Sequence, residues 1–182
     1  MELMTYLTRA ELIRLLKVAK SKNYKAYCIF YICYILGLRI SECIGLKLND
    51  VDFDEGTIIV RRLKGSNMTR NTLTNELRLI LHYWKKKSKG TFFFDDLNRM
   101  WCDRALKKLG TLSHIKRKKL HMHSLKHSCA VHMLEGGVDV RTIQKALGHK
   151  NINNTIRYLD ISNDKVNRVQ SALDELLGVK AE

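Results

Sequence analysis

The chain has no proline. The usual marker of helix ends and loop boundaries is therefore missing, and organisation must be read from glycines, capping residues and periodicity. It also lacks a long apolar run: the longest, residues 26–36, is closed by Gly37 and Arg39 and is well short of the roughly 20 residues that cross a bilayer. That run reads as a buried helix. No charged segment followed by an apolar stretch and a small-residue cleavage site opens the chain, so no secretory signal is visible. Cys28, Cys33, Cys43, Cys102 and Cys129 form an odd set with no C-x-x-C spacing, which argues against a disulfide scaffold and for reduced core thiols in a cytosolic protein. Carboxylates are scarce as well. Against 33 lysines and arginines stand 18 aspartates and glutamates, a formal charge of +15 with a pI near 9.7, the electrostatic footprint of a surface that meets phosphate.

What is present suits one folded domain: 182 residues, 45% of them hydrophobic, supply a sizeable core. No internal repeat or low-complexity linker divides the chain. Thr8 followed by Glu11 is a capping box that starts a helix through about Lys20, with Leu12, Leu15, Leu16 and Ala19 inward. A second helix takes the run 26–36, and a third begins near Ile40. Residues 51–62 shift to strand character around Thr57-Ile58-Ile59-Val60, and Gly65-Ser66-Asn67 is turn chemistry before a further strand at 68–72. Helices resume at about 75–87, 95–109, 124–135, 139–147, 151–159 and 164–177, with Gly136-Gly137 and Gly148 as C-cap candidates and Asp139 as an N-cap. This pattern predicts a mainly α fold with a small antiparallel β-sheet, an α+β domain spanning 1–182.

The charge is uneven. From Arg104 to Leu134 the chain carries Arg104, Lys107, Lys108, Lys116, Arg117, Lys118, Lys119 and Lys126 and no carboxylate, whereas the segment after Tyr158 is mildly acidic. Lys116, Arg117, Lys118 and Lys119, joined by Arg70 and Lys150, are the candidates for contact with a nucleic-acid backbone. For residues 116–119 a merely solvated, charged loop is an equal reading.

The chemistry-bearing residues are concentrated near the end. His123, Lys126, His149 and Tyr158 follow one another at spacings suited to one phosphodiester-cleaving site. A phenol, with an ordinary pKa of about 10, is a poor nucleophile, so attack on phosphorus needs a proton acceptor beside it and fixed cations around the phosphate. Upstream, Gly37-Leu38-Arg39-Ile40-Ser41-Glu42 places a guanidinium between two helices with a carboxylate to orient it. Leu63-Lys64-Gly65 places a lysine on the hairpin. Each has a bland counterpart: a surface arginine, an exposed hairpin lysine, a helix-terminal histidine facing the dipole, a packing tyrosine. His127 and His132 read as packing or capping residues. His121, His123 and His127 make zinc conceivable by spacing, but no H-E-x-x-H glutamate or cysteine pair accompanies them, and no metal site is assigned.

Taken together and in order, these elements resemble the tyrosine recombinase (phage integrase) family over most of the chain. His123-Ser124-Leu125-Lys126-His127-Ser128 is similar to its H-x-L-R-H-[ST] box, Leu147-Gly148-His149 to its L-G-H box, and Tyr158 to its tyrosine. The resemblance implies a catalytic domain that cuts and rejoins double-stranded DNA by two transesterifications through a 3′-phosphotyrosine, with neither metal nor ATP. It implies Tyr158 as nucleophile, Arg39, Lys126 and His149 balancing charge on the non-bridging oxygens, His123 in proton transfer with Tyr158, Lys64 acting on the leaving 5′-oxygen, and Glu42 in support. It also implies a protein that is monomeric or weakly associated when free and tetrameric on DNA, with the helix at 164–177 either exchanged between subunits or docked on its own core. Two departures are visible. Lys126 stands where the family usually has arginine, which predicts an attenuated enzyme, and the chain opens at the catalytic domain without the family's separate DNA-gripping domain. Competing readings are a non-enzymatic helix-turn-helix DNA-binding protein and a type IB topoisomerase-like activity.

Overall fold

The computed structural model describes residues 5–63 and 66–159. Among these are eight α-helices and one three-stranded sheet, the mainly helical α+β class that the periodicity predicts. Helix α1 (Arg9–Lys22) opens on the capping box: the Thr8 hydroxyl accepts the Glu11 N–H at 3.2 Å, and the Glu11 carboxylate accepts the Thr8 N–H at 2.8 Å. Two otherwise orphaned donors are satisfied reciprocally. Helix α2 (Tyr24–Ile35) starts two residues before its apolar run because Asn23 caps it, accepting the Ala26 N–H at 3.1 Å. With Ala26, Ile29, Phe30, Ile32 and Cys33 fully buried, α2 is apolar nearly all round and forms the interior helix, packed against α1, α4, α5 and α6.

Helix α3 (Ile40–Ile44) follows, then β1 (Val51–Asp52), β2 (Thr57–Val60) and β3 (Thr69–Thr72), antiparallel in that order with Val51 opposite Ile58 and Val60 opposite Thr69. The strand expected over 51–62 is broken after Asp52, whose carboxylate accepts the N–H groups of Asp54 and Glu55 at 3.0 and 2.9 Å and so folds a turn. Helix α4 (Asn75–Lys87) begins at Thr74 as its cap. Helix α5 (Arg99–Leu112) begins four residues later than expected. Asp95 is occupied by the N–H groups of Gly90 and Phe92 and the Ser88 hydroxyl, and Asn98 caps α5 instead, accepting the Trp101 N–H at 2.9 Å.

Helices α6 (His123–Glu135), α7 (Val140–Leu147) and α8 (Asn153–Ile156) complete the described chain. Asp139 caps α7 as predicted, accepting the Thr142 N–H at 3.0 Å. The helix expected over 151–159 shrinks to the four residues of α8, since the Asn151 side chain takes the Asn153 N–H at 2.9 Å and the chain turns again at Arg157. The predicted helix at 164–177 and the hairpin residue Lys64 lie outside the described residues. All five cysteines are buried and free. Among the described residues no helix is long and apolar enough to cross a membrane.

Two glycines lock the sequence boxes together. Gly37 has φ 57°, and a Cβ there would sit 2.4 Å from the Leu147 Cδ2 atom. Gly148 has φ 68°, and its Cβ would sit 2.4 Å from the Asn67 carbonyl oxygen and 3.0 Å from the Arg62 Cγ atom. The turn before Arg39 thus packs directly on the end of α7, and the turn before His149 packs on the β2–β3 hairpin. Left-handed backbone costs an L-residue roughly 1–2 kcal/mol even without a clash. Gly148→Ala should therefore lower the unfolding free energy by more than about 1 kcal/mol, measured by chemical denaturation.

Candidate active site

The site is assembled from three segments: the α2–α3 turn, the face of α6 that carries His123, Lys126 and His127, and the α7–α8 turn with its continuation. Arg39 is the N-cap of α3. Glu42, three residues on, reaches back so that Oε2 accepts the Arg39 N–H at 2.8 Å and Oε1 accepts the Arg39 guanidinium at 2.9 Å. A buried carboxylate thereby orients a half-exposed guanidinium toward the open side. Burial pushes the Glu42 carboxyl up, but the Arg39 N–H and the charges of Lys126 and Arg62 outweigh it and hold it below the ordinary range.

On α6, His123, Lys126 and His127 occupy positions i, i+3 and i+4 and share one face. His123 is exposed and stacks on His127, with ring centroids 6.3 Å apart. Lys126 is only 3% exposed. Its ammonium lies 4.0 Å from Glu42 Oε2 and has no hydrogen-bond partner in the protein. Loss of solvent, reinforced by the neighbouring Arg62 and Arg39 and opposed by Glu42, lowers its pKa to about 8.

His149 is buried beyond the Gly148 turn, with Nδ1 2.9 Å from the Thr155 hydroxyl. Burial, then the charges of Lys126, Arg39 and Arg62, bring its pKa to about 4. Tyr158 is 3% exposed, and its hydroxyl meets His127 Nδ1 at 3.1 Å. Burial raises the phenol to about 12. Burial and the charges of His123, His121, Lys126 and Arg157 lower His127 to about 4. A cleft of about 170 Å³ carries Arg39, His123, Lys126, His149 and Tyr158 on its wall, together with His127, Asn154 and Arg157. Five of the six residues singled out for catalysis thus line one cavity.

Two members of this constellation escape the sequence reading. The partner of the phenol is His127, assigned from sequence to packing, and not His123. Its signal was available: it lies one helical turn from His123, on the same face. The second is Arg62, whose guanidinium is fully buried beneath the cleft and contacts Glu42. The proposed backbone contacts are dispersed. Lys116, Arg117, Lys118 and Lys150 are exposed. Lys119 is half-buried against Glu11, with its ammonium 2.7 Å from Oε2, and the exposed Arg70 guanidinium reaches the Thr57 hydroxyl at 3.3 Å. Among the described residues no group of three or more histidine, cysteine or acidic side chains is placed to hold a metal ion.

Comparison with known proteins bears on this geometry. The model of the phage integrase family matches residues 5–165. The chain belongs to the phage integrase family. Among its relatives, the tyrosine recombinase XerA of Thermococcus kodakarensis is 33% identical over 187 residues, covering 94% of this chain and 64% of XerA. The type 1 fimbriae regulatory protein FimB of Escherichia coli is 31% identical over 166 residues, covering 84% of this chain and 82% of FimB. In fold, this integrase-family chain is similar to the catalytic domain of bacteriophage HP1 integrase, with a TM-score of 0.70 at 22% identity over 98% of this chain and 99% of that one. It spans about half to two thirds of the length of several integrases and recombinases that it matches.

Proposed function

We propose that this chain cuts and rejoins double-stranded DNA as a site-specific recombinase, with Tyr158 as nucleophile. The observation that carries the reading is the Tyr158 hydroxyl, hydrogen-bonded to His127 and set in a cleft walled by Arg39, Lys126 and His149. In the first step the Tyr158 oxygen bonds to phosphorus as the P–O5′ bond breaks. The phenol proton leaves through His127, and the departing 5′-oxygen takes a proton from Lys64. That role for Lys64 rests on the family likeness, supported by the hairpin's shoulders: the Leu63 N–H reaches Glu42 at 3.3 Å, and Ser66 pairs with His149. Attack of a 5′-hydroxyl on the phosphotyrosine reverses the step and conserves the bond energy, so ATP is not needed.

The ionisation states fit a nucleophile that stays silent until DNA arrives. With the phenol near 12 and His127 near 4, moving the proton between them costs on the order of 10 kcal/mol in the free protein. A phosphate in the cleft changes both: its charge favours a protonated histidine, and it draws the Arg39 and Lys126 cations into the transition state. In the tautomer whose Nδ1 accepts from the Thr155 hydroxyl, His149 carries its proton on Nε2 and serves as a neutral donor to a non-bridging oxygen. His127→Gln should leave DNA affinity unchanged and slow single-turnover cleavage on the order of 10²-fold; an unaltered cleavage rate would remove His127 from the proton path.

Lys116, Arg117, Lys118, Lys150 and Arg70 supply the basic surface for the duplex, and assembly into a tetramer on DNA, through the segment at 164–177, completes the reading for a cytoplasmic, DNA-associated protein. The helix-turn-helix reading is poorly served, because α8 has only four residues and Tyr158 beyond it is buried. The test is incubation with nicked suicide duplexes followed by a denaturing gel. A covalent protein–DNA adduct is expected. Plasmid relaxation without exchange between duplexes would favour the topoisomerase-like alternative, and binding without adduct would sink both enzymatic readings.

A further inference from the structure

Arg62 is the cation that the proposed mechanism leaves unused. It follows β2 by two residues, and strand alternation carries it inward with Ile58 and Val60. Its side chain is fully buried, a cost that partners for its donors must offset; Nε has none, and both terminal nitrogens are engaged. Nη1 donates to the Gly37 carbonyl at 2.9 Å and to Glu42 Oε2 at 3.4 Å. Nη2 donates to the Leu36 carbonyl at 3.0 Å, the Ala146 carbonyl at 2.9 Å and the Thr69 hydroxyl at 3.3 Å. These acceptors belong to different segments of the site. Leu36 and Gly37 form the turn that precedes Arg39, Ala146 lies in the last turn of α7 two residues before Gly148, and Thr69 opens β3 on the far side of the hairpin.

We propose that Arg62 is a positioning residue for DNA cleavage: one buried guanidinium clamps the Arg39 turn, the His149 turn and the start of β3 at Thr69 into a fixed mutual geometry. The proposal rests on the recombinase reading above. The close contact of the Arg62 Cγ atom with the space that a Cβ on Gly148 would fill, 3.0 Å away, shows that the clamp is seated without slack against the turn that aims His149. Arg62 also takes part of the charge of Glu42, whose same Oε2 atom lies 4.0 Å from the Lys126 ammonium. The lysine head therefore stays free of a hydrogen bond and available to an incoming phosphate. Burial is the main cause of the lowered Lys126 and His149 pKa values, and the Arg62 charge adds to it in both.

The test compares the natural protein with Arg62→Met and Arg62→Lys on a nicked suicide duplex. Folded fraction is measured by circular dichroism, affinity by gel shift, and single-turnover adduct formation across pH 6 to 10. A misplacement of catalytic groups by about 1 Å costs on the order of 10²-fold. Arg62→Met is expected to bind DNA within about threefold of the natural protein yet to cleave about 100-fold more slowly per folded molecule, with the alkaline fall of the rate moved to higher pH. Arg62→Lys, which keeps the charge but not the two-pronged donor, should cleave at an intermediate rate, and it decides the matter if Arg62→Met does not fold. Natural rates and an unshifted pH profile per folded molecule in the folded variants would overturn the positioning role and leave Arg62 a stability residue. Absence of adduct from the natural protein would instead overturn the recombinase reading, and this role with it.

Discussion

Tyr158→Phe is expected to bind DNA as the natural protein does and to form no covalent adduct. The substitution removes one oxygen from a residue that is almost wholly buried and that belongs, with Cys129, Val131, Leu134, Ile143 and Leu147, to the smaller core cluster of the protein. Phenylalanine retains that packing, so the fold and the cationic wall of the cleft are preserved. What is lost is the hydrogen bond to His127, a net contribution of about 1 kcal/mol to stability, and the sole atom proposed to attack phosphorus. The effect on binding should be slight and the effect on chemistry complete. Gel shifts and denaturing gels on the same duplex separate the two.

Lys126 is the position with the next largest effect. Lys126→Ala should slow cleavage on the order of 10²–10³-fold, the usual cost of one preorganised donor at a developing charge. The lysine also makes this cleft pH-sensitive in a way that arginine would not. Its pKa of about 8 in the folded protein means that the ammonium is charged below pH 8 and lost as the pH rises through that value, removing a cation from the phosphate site. A guanidinium stays charged throughout. The second-order rate of adduct formation, which reports ionisations of the free protein, should fall about tenfold between pH 8 and pH 9.5 in the natural protein. In Lys126→Arg, which restores a two-pronged donor, it should be higher and nearly flat over that span. A slower, equally pH-dependent arginine variant would mean that the pocket is shaped around lysine.

The same lowered pKa has a consequence for stability. A base whose folded pKa lies below its unfolded one destabilises the protein at every pH below the folded value, and the penalty fades only as the pH rises toward the unfolded value. Lys126→Met, which removes the buried charge while keeping the length, should therefore stabilise the free protein at pH 7 by about 1–3 kcal/mol while impairing cleavage. Glu42 is not orphaned by the change, since Arg39 and Arg62 still engage it. A loss of stability in this variant would show that Lys126 contributes more by packing than it costs by burial.

Much of this site was legible in the chain because its key residues are tied to backbone geometry that leaves a sequence mark. Gly37 and Gly148 need left-handed backbone and close approach, Arg39 and Glu42 are three apart because one caps the helix and the other reaches back, and the spacing of His123 and Lys126 is one helical turn. Where the mark is shared by bland and functional readings, sequence decides poorly. His127 lies on the same helical face as His123, but only the fold shows that Tyr158, thirty-one residues on, docks against it. Arg62 sits beside Arg61, and the pair looks like ordinary surface charge. The inward phase of β2, set by Ile58 and Val60, is the signal that separates them: Arg62 is buried, while Arg61 is largely exposed with Asp50 as its partner. The late start of α5 and the short α8 have a common cause, the capture of local backbone N–H groups by Asn and Asp side chains, and the sequence alone does not show which N–H each side chain takes.

The central claim is that the Tyr158 oxygen becomes bonded to DNA phosphorus, and it is tested most directly by locating the bond. After reaction with a nicked suicide duplex, the adduct is digested with nuclease and protease and the modified peptide is sequenced by tandem mass spectrometry. A peptide that includes Arg157-Tyr158-Leu159, with a 3′-linked nucleotide on the tyrosine, is the predicted result. A nucleotide carried by any other residue, or a modified peptide still recovered from Tyr158→Phe, would contradict it.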